Sequence, residues 1–390
     1  MAKKLILAVA GAGKTYHICH GIDPTKKNLI IAYTHENIYN IQKELCDAHG
    51  CVPELTTVMT FDAFVYHNLI LPYEPSITNH FSAHCFTSRG IYLTDPPPQR
   101  IKNKNGEMVY NPLYSKKDKL THYVTKRCQY YCATLSELAL QVKEGRDSLV
   151  KRAAARLNIF YDSVLIDEFQ DFREHNYELI IRLAKILDNV LFVGDYYQHS
   201  VSARNNTGKP FKSKKGDVSY SAFVDEIVKS GFEVDTTTLS KSRRCSTDVC
   251  NYVSSKLAVD ISSSGDHTGQ VIAADDIADE VLRNDRITKL VYSEAAKYTF
   301  PALNWSYSKG DTVDCACVIL IKDFEKLAEP EFSAKKIPIS TLNKLYVAMT
   351  RSHGDLYLIK SSTFNKCKYA YIRYQIIIII CLYTLSATMW

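Results

Sequence analysis

The sequence lacks the features that mark several common classes of protein. Its 12 cysteines include no Cys-x-x-Cys pair, and no cluster of histidine and cysteine completes a zinc site, so reduced and mostly buried thiols are expected. No secretory signal opens the chain. The apolar run around Ile376–Ile380 covers only about 14 residues, which is short for a membrane span. A reducing, intracellular compartment without a membrane partner is therefore expected.

The composition that is present suits a globular protein with two domains. At 390 residues with 46% apolar residues, the chain can form two cores of ordinary size. Its net charge of +6 is compatible with a nucleic-acid partner. It is not evidence for one, because a small excess of positive charge is usually spread over a solvated surface.

A loop of small residues follows the first apolar strand of the chain, predicted over Lys3–Ala8. It consists of Ala10, Gly11, Ala12, Gly13, Lys14 and Thr15. Small residues let backbone N–H groups close around phosphate oxygens, the lysine can reach the β- and γ-phosphates, and the threonine hydroxyl can ligate Mg²⁺. The first glycine of the usual P-loop pattern is Ala8 here. The stretch predicts a nucleotide-binding loop rather than a chance turn.

Two adjacent carboxylates end a second apolar strand. Val164–Ile166 leads directly into Asp167 and Glu168. One carboxylate at such a strand end can hold Mg²⁺, and its neighbour can polarise an attacking water. A solvated acidic turn is the alternative, and the P-loop upstream favours the catalytic interpretation.

Strands alternate with helices in both halves of the chain. This order predicts parallel, doubly wound sheets that bind ligands at the carboxyl ends of their strands. We expect a first domain over residues 1–215 and a second over 216–365. Residues 366–390 form an apolar tail, interpreted as a terminal strand or an altered reading frame. The loop Gly208–Gly216 is predicted to be flexible and basic, and it is a candidate domain linker and phosphate contact.

Residues 82–156 interrupt the alternation and predict an inserted subdomain, with one helix over Ser136–Leu157. Basic residues mix with tyrosines in its first part. They are Arg100, Lys102, Lys104, Lys116, Lys117, Lys119, Lys126 and Arg127, with Tyr110, Tyr114, Tyr123, Tyr130 and Tyr131. Such a mixture suits a single nucleic-acid strand, because charges follow phosphates and rings stack on bases. A solvated, lysine-rich insertion is the open alternative.

Further polar residues stand at predicted strand or helix ends. Thr34 and Asn37, and Thr60 with Phe64, are candidates to contact a polymer, with ordinary helix capping as the alternative. Other candidates concern the phosphates: Gln198 can sense a γ-phosphate, and the isolated arginines Arg244 and Arg351 suit an arginine-finger arrangement.

In this order the stretches resemble the motifs of a superfamily 1 helicase of the UvrD/Rep type, from Leu5 to about Ile359. The resemblance includes Asp167–Asp171, which is nearly diagnostic as motif II. The remaining similar stretches are Ala10–Thr15 (motif I), Thr34–Asn37 (Ia), Thr60–Phe64 (Ib), Gly194–Gln198 with Arg204 (III), Leu239–Ser246 (IV), Ser308–Gly310 (V) and Leu345–Arg351 (VI).

The resemblance implies an α/β fold of two RecA-like P-loop NTPase domains, each a parallel sheet flanked by helices, with a small, mostly helical insertion in the first. It implies ATP and Mg²⁺ as cofactors and single-stranded DNA or a tailed duplex as partner, with 3′-to-5′ movement. The implied site residues fall into groups by role. Thr15 and Asp167 hold the metal; Glu168, Gln198, Arg244 and Arg351 act in catalysis; the nucleotide contacts are Ala10–Thr15, Asp167, Arg243 and Gly310; and the DNA contacts are Thr34, Asn37, Thr60, Phe61, Phe64 and Arg204.

The chain departs from this family at several positions. Only a few residues precede the P-loop, which leaves no room for the glutamine stretch that recognises adenine. Arg243 stands where a tyrosine usually stacks on adenine, Ala203 where an aromatic stacks on DNA, and Thr312 where a glutamate is expected. The large insertion that this family carries between motifs IV and V is missing, so a compact enzyme is expected. Its expected location is the cytoplasm, or the host nucleus if the source is viral. A DNA-stimulated ATPase without unwinding and a nucleotide-dependent regulatory protein are the alternative functions.

Overall fold

The computed structural model describes residues 3–199, 208–214, 216–306 and 308–373. Arg204 and the isoleucine-rich run Ile376–Ile380 lie outside these ranges. The chain divides into two compact units. The first comprises Met1–Arg243 with Asp260–Ser262, and the second comprises Arg244–Val259 with Ser263–Trp390.

The first unit is built on a parallel sheet. Among the described residues its strands lie in the order Glu233–Asp235, Lys3–Leu7, Val190–Gly194, Ser163–Ile166, Asn28–Ala32 and Thr56–Thr60. The central strands are continuous apolar runs, as expected when helices cover both faces of a sheet. Asn28–Ala32, for example, is buried along its whole length.

Helices connect and cover these strands. In the first unit they are Lys14–Gly21, His35–His49, Phe61–Phe64, Glu74–His80, Leu135–Gln141, Leu149–Phe160, Glu174–Ala184 and Tyr220–Lys229, with a π-helical turn over Val65–Ile70. Side-chain caps begin several of them: the Thr34 hydroxyl accepts from the backbone of Asn37, and the Ser148 hydroxyl accepts from that of Lys151. In the described ranges no helix combines the length and the apolar character that crossing a membrane requires.

The second unit repeats the same architecture on a smaller scale. Its strands run parallel in the order Val271–Ala273, Leu356–Ile359, Cys315–Ile319, Ile287–Val291 and Ala302–Asn304. Its helices are Thr247–Leu257, Ala278–Arg283, Ile339–Met349 and Ser361–Cys367. Two parallel sheets, each flanked by helices, confirm the predicted α/β fold of two RecA-like domains.

The predicted domain boundaries require correction. The strand Glu233–Asp235 pairs with Lys3–Leu7, and the helix Tyr220–Lys229 buries Phe223 in the first core. The first unit therefore extends to Arg243 instead of ending at residue 215. At the other end, Tyr371 packs in the core of the second unit, so the chain up to residue 373 is not a separate tail.

The inserted segment is less helical than predicted. The single helix expected over Ser136–Leu157 is two helices, Leu135–Gln141 and Leu149–Phe160, separated by a small hairpin. Gly145 has a φ of 61°, which suits the hairpin turn, and Ser148 caps the second helix. Residues 83–131 form short strands, turns and one 3₁₀ turn at Leu120–His122, so the α-helices lie in the second half of the insertion.

The loop that follows residue 207 is anchored rather than flexible. Phe211 is 0% exposed. Its ring stacks on the rings of His199 and Phe223, with ring centres 4.2 and 5.1 Å away, respectively. The Arg173 guanidinium lies 4.5 Å from the centre of the same ring. The prediction of a domain linker at Gly208–Gly216 is therefore wrong, because an apolar anchor fixes the loop to the first unit.

Candidate active site

The P-loop connects the strand Lys3–Leu7 to the helix Lys14–Gly21. Its start is tied to the sheet edge, since the Ala8 backbone N–H donates to the Gly194 carbonyl over 2.8 Å. Gly11 and Gly13 have φ values of 72° and 83°, a backbone region that favours glycine. The conformation therefore depends on these two glycines. Ala10 and Ala12, which alternate with these glycines in the loop, are buried.

Four side chains meet where the P-loop helix begins. The Thr15 hydroxyl donates to Asp167 Oδ2 over 2.8 Å. Lys14 Nζ lies 3.5 Å from Glu168 Oε1, and the two side chains are only 10% and 14% exposed. The predicted metal-binding pair and the predicted phosphate and base residues are thus brought together within one unit.

The environment of Asp167 disfavours its ionised form. Its carboxyl group is buried, and burial together with the neighbouring Glu168 carboxylate raises its pKa. Lys14, the Thr15 hydroxyl and the Glu168 backbone N–H act in the opposite direction. A divalent cation next to this oxygen would relieve the same repulsion, so the electrostatics suit a metal ligand.

Glu168 is held in an unusual backbone conformation. Its φ of 54° is left-handed, which is uncommon for a residue with a side chain. The Gln170 amide donates to Glu168 Oε2, and Gln170 Oε1 accepts from the backbone N–H of Asp195 over 2.8 Å. Gln170 therefore links the strand end that carries Glu168 to the neighbouring strand end.

That second strand end carries Gln198. The Gln198 side chain is buried, and its backbone N–H donates to the Asp195 carbonyl over 3.0 Å. The P-loop, Gln198 and Glu168 each follow a different strand of the sheet. These strands are Lys3–Leu7, Val190–Gly194 and Ser163–Ile166, respectively, and they lie side by side in that order. Parallel strands bring their carboxyl ends to one edge, so the three predicted motifs lie together.

Arg243 lies beside the P-loop. Its backbone N–H donates to the Gly11 carbonyl over 2.9 Å, and its guanidinium lies 5.5 Å from the centre of the Tyr16 ring. Tyr16 is 46% exposed and also stacks on His20 at 3.8 Å. The predicted nucleotide contact at Arg243 thus has an aromatic partner that immediately follows Thr15.

Arg351, predicted as a finger, is deeply buried in the second unit. It is 1% exposed, its Nε donates to the Val347 carbonyl over 2.7 Å, and its Nη1 donates to the carbonyls of Ser308 and Asp311 over 3.0 and 3.3 Å. These bonds hold the loop around Gly310, which has a φ of 97°. The finger role of Arg351 stays a prediction beside this positioning role.

Arg244 is also bonded within the second unit, where its Nη1 donates to the Thr350 carbonyl over 3.2 Å. It thus contacts the residue that precedes Arg351 in the chain. The two predicted finger arginines are neighbours in this unit, and the catalytic role of Arg244 stays a prediction as well.

The predicted DNA contacts separate into two groups. Thr34 and Thr60 cap helices, and the Thr34 hydroxyl donates to the Asn37 side chain over 2.7 Å. Phe61 and Phe64 are each 1% exposed and belong to the first core. These two rings are not open to stacking on a base in this structure, and the DNA contact of the two residues stays a prediction.

Two residues near the site were missed by the sequence reasoning. The role of Gln170 could have been found from its place two residues after Glu168, where an amide can donate a hydrogen bond to the carboxylate. Gly194 is different. A Cβ there would lie 2.7 Å from Gln170 Oε1, a tertiary contact that no local pattern indicates.

Comparisons with known proteins bear on the family. Residues 98–207 match the family model of the UvrD/REP helicase N-terminal domain. No curated protein matches the chain.

Two solved helicase structures also match the chain, at low identity. The complex of arterivirus nonstructural protein 10, a helicase, with DNA has 12% identity and a TM-score of 0.42, and the match covers 93% of this chain and 62% of that one. The PRRSV helicase has 10% identity and a TM-score of 0.41, with 95% and 54% covered. The chain thus spans less than two thirds of either structure. The fold assignment rests on the order of the strands in the two sheets.

The family match begins within the inserted segment and includes the acidic strand end with Glu168 and the stretch with Gln198. These are the regions that carry motifs II and III of the predicted resemblance. The resemblance is therefore confirmed over part of the chain: residues 98–207, which carry motifs II and III, are similar to the N-terminal domain of UvrD/REP helicases.

Proposed function

We propose that the chain is an ATP-dependent DNA helicase or translocase, which couples ATP hydrolysis to movement along single-stranded DNA. The observation that carries the proposal is the cluster of Lys14, Thr15, Asp167 and Glu168 at one edge of a parallel sheet. The 3′-to-5′ direction of movement, and the finger roles of Arg244 and Arg351, rest on the family resemblance alone.

The donor set fits a nucleoside triphosphate with Mg²⁺. Thr15 and Asp167 offer two oxygens 2.8 Å apart, which are the hard ligands that Mg²⁺ prefers. The glycine backbone of the loop suits phosphate oxygens, and the Lys14 ammonium can exchange Glu168 for phosphate. When bound, ATP supplies the phosphoanhydride bond that is cleaved, and Mg²⁺ neutralises charge on its phosphates.

The chain's own residues supply positioning and a base. Glu168 is proposed to accept the proton of the attacking water, a role that its carboxylate can fill once Lys14 contacts phosphate. The Gln170 amide and the left-handed backbone fix the direction of that carboxylate. Gln198, on the neighbouring strand end, is proposed to respond to the γ-phosphate.

The nucleotide base is proposed to lie beside Tyr16 and Arg243, because a planar base can stack on a ring or on a guanidinium. Replacing Tyr16 with alanine should weaken ATP binding about fivefold or more, as for the loss of one stacking contact. Binding of inorganic tripolyphosphate should not change, and Tyr16→Phe is the matched control. Equal weakening of both ligands would contradict the assignment.

The test of the whole proposal is ATP hydrolysis by the purified chain, measured with and without single-stranded DNA. We expect stimulation by DNA that disappears in the Lys14→Ala variant. Unwinding of 3′- and 5′-tailed duplexes then gives the polarity. Stimulation without unwinding would indicate a DNA-stimulated ATPase, whereas hydrolysis that ignores DNA would contradict a nucleic-acid motor.

A further inference from the structure

The positive charge of the chain is concentrated in one part of the insertion. Residues 83–131 contain nine lysines and arginines but three aspartates and glutamates, an excess of six that equals the net charge of +6 of the full chain. The rest of the sequence is therefore neutral on balance. A charge excess confined to one segment produces a positive electrostatic potential at that place, whereas the same excess spread over the whole surface would not.

Most of these charges are exposed and have no acidic partner. Lys117 pairs with Glu137 at 2.5 Å. Elsewhere in the described part of this segment, no ion pair involves the other exposed cations, which are Arg89, Arg100, Lys102, Lys104, Lys116, Lys119, Lys126 and Arg127. Uncompensated cations of this density favour a polyanionic partner.

A two-stranded hairpin presents part of this charge together with an aromatic ring. Arg100–Lys102 pairs antiparallel with Met108–Tyr110, and Arg100 lies opposite Tyr110 in the register. Side chains alternate between the faces of a strand, so Arg100, Lys102, Met108 and Tyr110 share one face. Tyr110 is 61% exposed and Met108 is 55% exposed. We call this set the basic hairpin face.

The hairpin is fixed in place, although two strands alone are only marginally stable in water. The Asn103 side chain accepts from the backbone N–H groups of Asn105 and Glu107 and so closes the turn. At the base of the hairpin, the centre of the Tyr114 ring lies 6.2 Å from the centre of the Tyr110 ring and 6.2 Å from that of the His122 ring. His122 is buried. The aromatic contacts connect the exposed face to the core of the first unit.

We propose that the basic hairpin face binds single-stranded nucleic acid, with Arg100 and Lys102 on phosphates and the Tyr110 ring stacked on a base. A single strand exposes its bases, whereas a duplex and an acidic protein offer no exposed base. An exposed aromatic ring beside cations can stack on such a base and therefore favours a single strand. The choice of nucleic acid as partner rests on the proposed function. The site itself is separate from the P-loop, so the two can fail independently.

The experiment measures binding of a fluorescent oligothymidylate of about 16 nucleotides by anisotropy, without ATP. The double variant Arg100→Ala/Lys102→Ala should bind about tenfold or more weakly at low salt, and the dependence of log K on log salt should fall by about 1.4 for two lost contacts. Tyr110→Ala should weaken binding about fivefold or more with an unchanged salt dependence, and Tyr110→Phe should restore it.

Matched controls separate this site from charge in general. Lys185 and Lys229 are exposed lysines that precede the amino ends of two strands, at the sheet edge opposite the P-loop. Lys185→Ala/Lys229→Ala removes the same charge and should bind the oligonucleotide normally. Equal weakening in this control, or a Tyr110→Ala variant that binds normally, would overturn the proposal.

The outcome is distinguishable from a failure of the proposed function. Lys14→Ala should still bind the oligonucleotide, because the basic hairpin face does not need the P-loop. Hairpin variants should keep their ATP hydrolysis in the absence of nucleic acid. Loss of oligonucleotide binding in Lys14→Ala with intact binding in the hairpin variants would place the strand elsewhere and overturn the inference.

Discussion

Replacing Glu168 with glutamine tests the assignment of the general base. The amide keeps the size of the side chain and can still accept from Gln170, but it cannot take a proton from water. Hydrolysis is expected to fall by about 10²- to 10⁴-fold, the usual contribution of a positioned base.

Nucleotide binding is expected to survive the same change or to become tighter. Lys14 Nζ and Glu168 Oε1 lie 3.5 Å apart, and at an effective dielectric constant of about 20 their attraction is about 4–5 kcal/mol before desolvation and screening. Most of this is offset in a mostly buried pair, and about 1 kcal/mol remains as an order of magnitude. Freeing Lys14 from its partner should therefore tighten ATP binding about fivefold.

The assay combines phosphate release at saturating ATP and DNA with binding of a fluorescent ATP analogue. Glu178→Gln is the matched control, because Glu178 is 46% exposed on a surface helix and pairs with Arg182. Turnover in Glu168→Gln within about tenfold of the unmodified chain would refute the role of this carboxylate. Lost ATP binding would instead refute the reasoning about Lys14.

Three further substitutions test the scaffold around the site. Gly194→Ala places a Cβ 2.7 Å from Gln170 Oε1, so it should cost about 1–3 kcal/mol in denaturant unfolding and lower turnover; unchanged turnover would contradict the link. Burial lowers the pKa of His199 to about 3, so the stability due to its neutral form is present above about pH 6.5 and is lost as pH falls towards 3. Between about pH 6.5 and 5 the unmodified chain should lose about 2 kcal/mol from this group, and His199→Phe should remove that part of the pH dependence. Arg351→Ala should destabilise the second unit by about 2–5 kcal/mol in thermal unfolding, because it leaves a cavity and removes the donor to three carbonyls. A loss of turnover of about 10³-fold in the folded fraction would support the finger role as well.

The sequence alone was sufficient for the elements whose structure is local. Gly11 and Gly13 determine the loop because only glycine readily adopts its positive φ values. The acidic residues Asp167 and Glu168 follow an apolar strand, and parallel strands end at one edge of a sheet, so their meeting with Lys14 and Thr15 could be predicted without coordinates. The alternation of strands and helices likewise predicted the two sheets.

Only the tertiary structure decided what depends on residues far apart in the chain. Glu233–Asp235 belongs to the first unit because it pairs with Lys3–Leu7, a contact between distant segments that no local pattern records. Phe61 and Phe64 follow a strand end, as a DNA contact would, yet they pack into the core.

The same distinction applies within the candidate site. The contacts of Gln170 with Glu168 and of Tyr16 with Arg243 depend on rotamers and on the distance between strand ends, which only packing sets. The sequence thus determined which chemical groups the chain carries at its predicted nucleotide site. The tertiary structure decided which of the remaining residues are free to meet a ligand, because burial is a property of the whole fold.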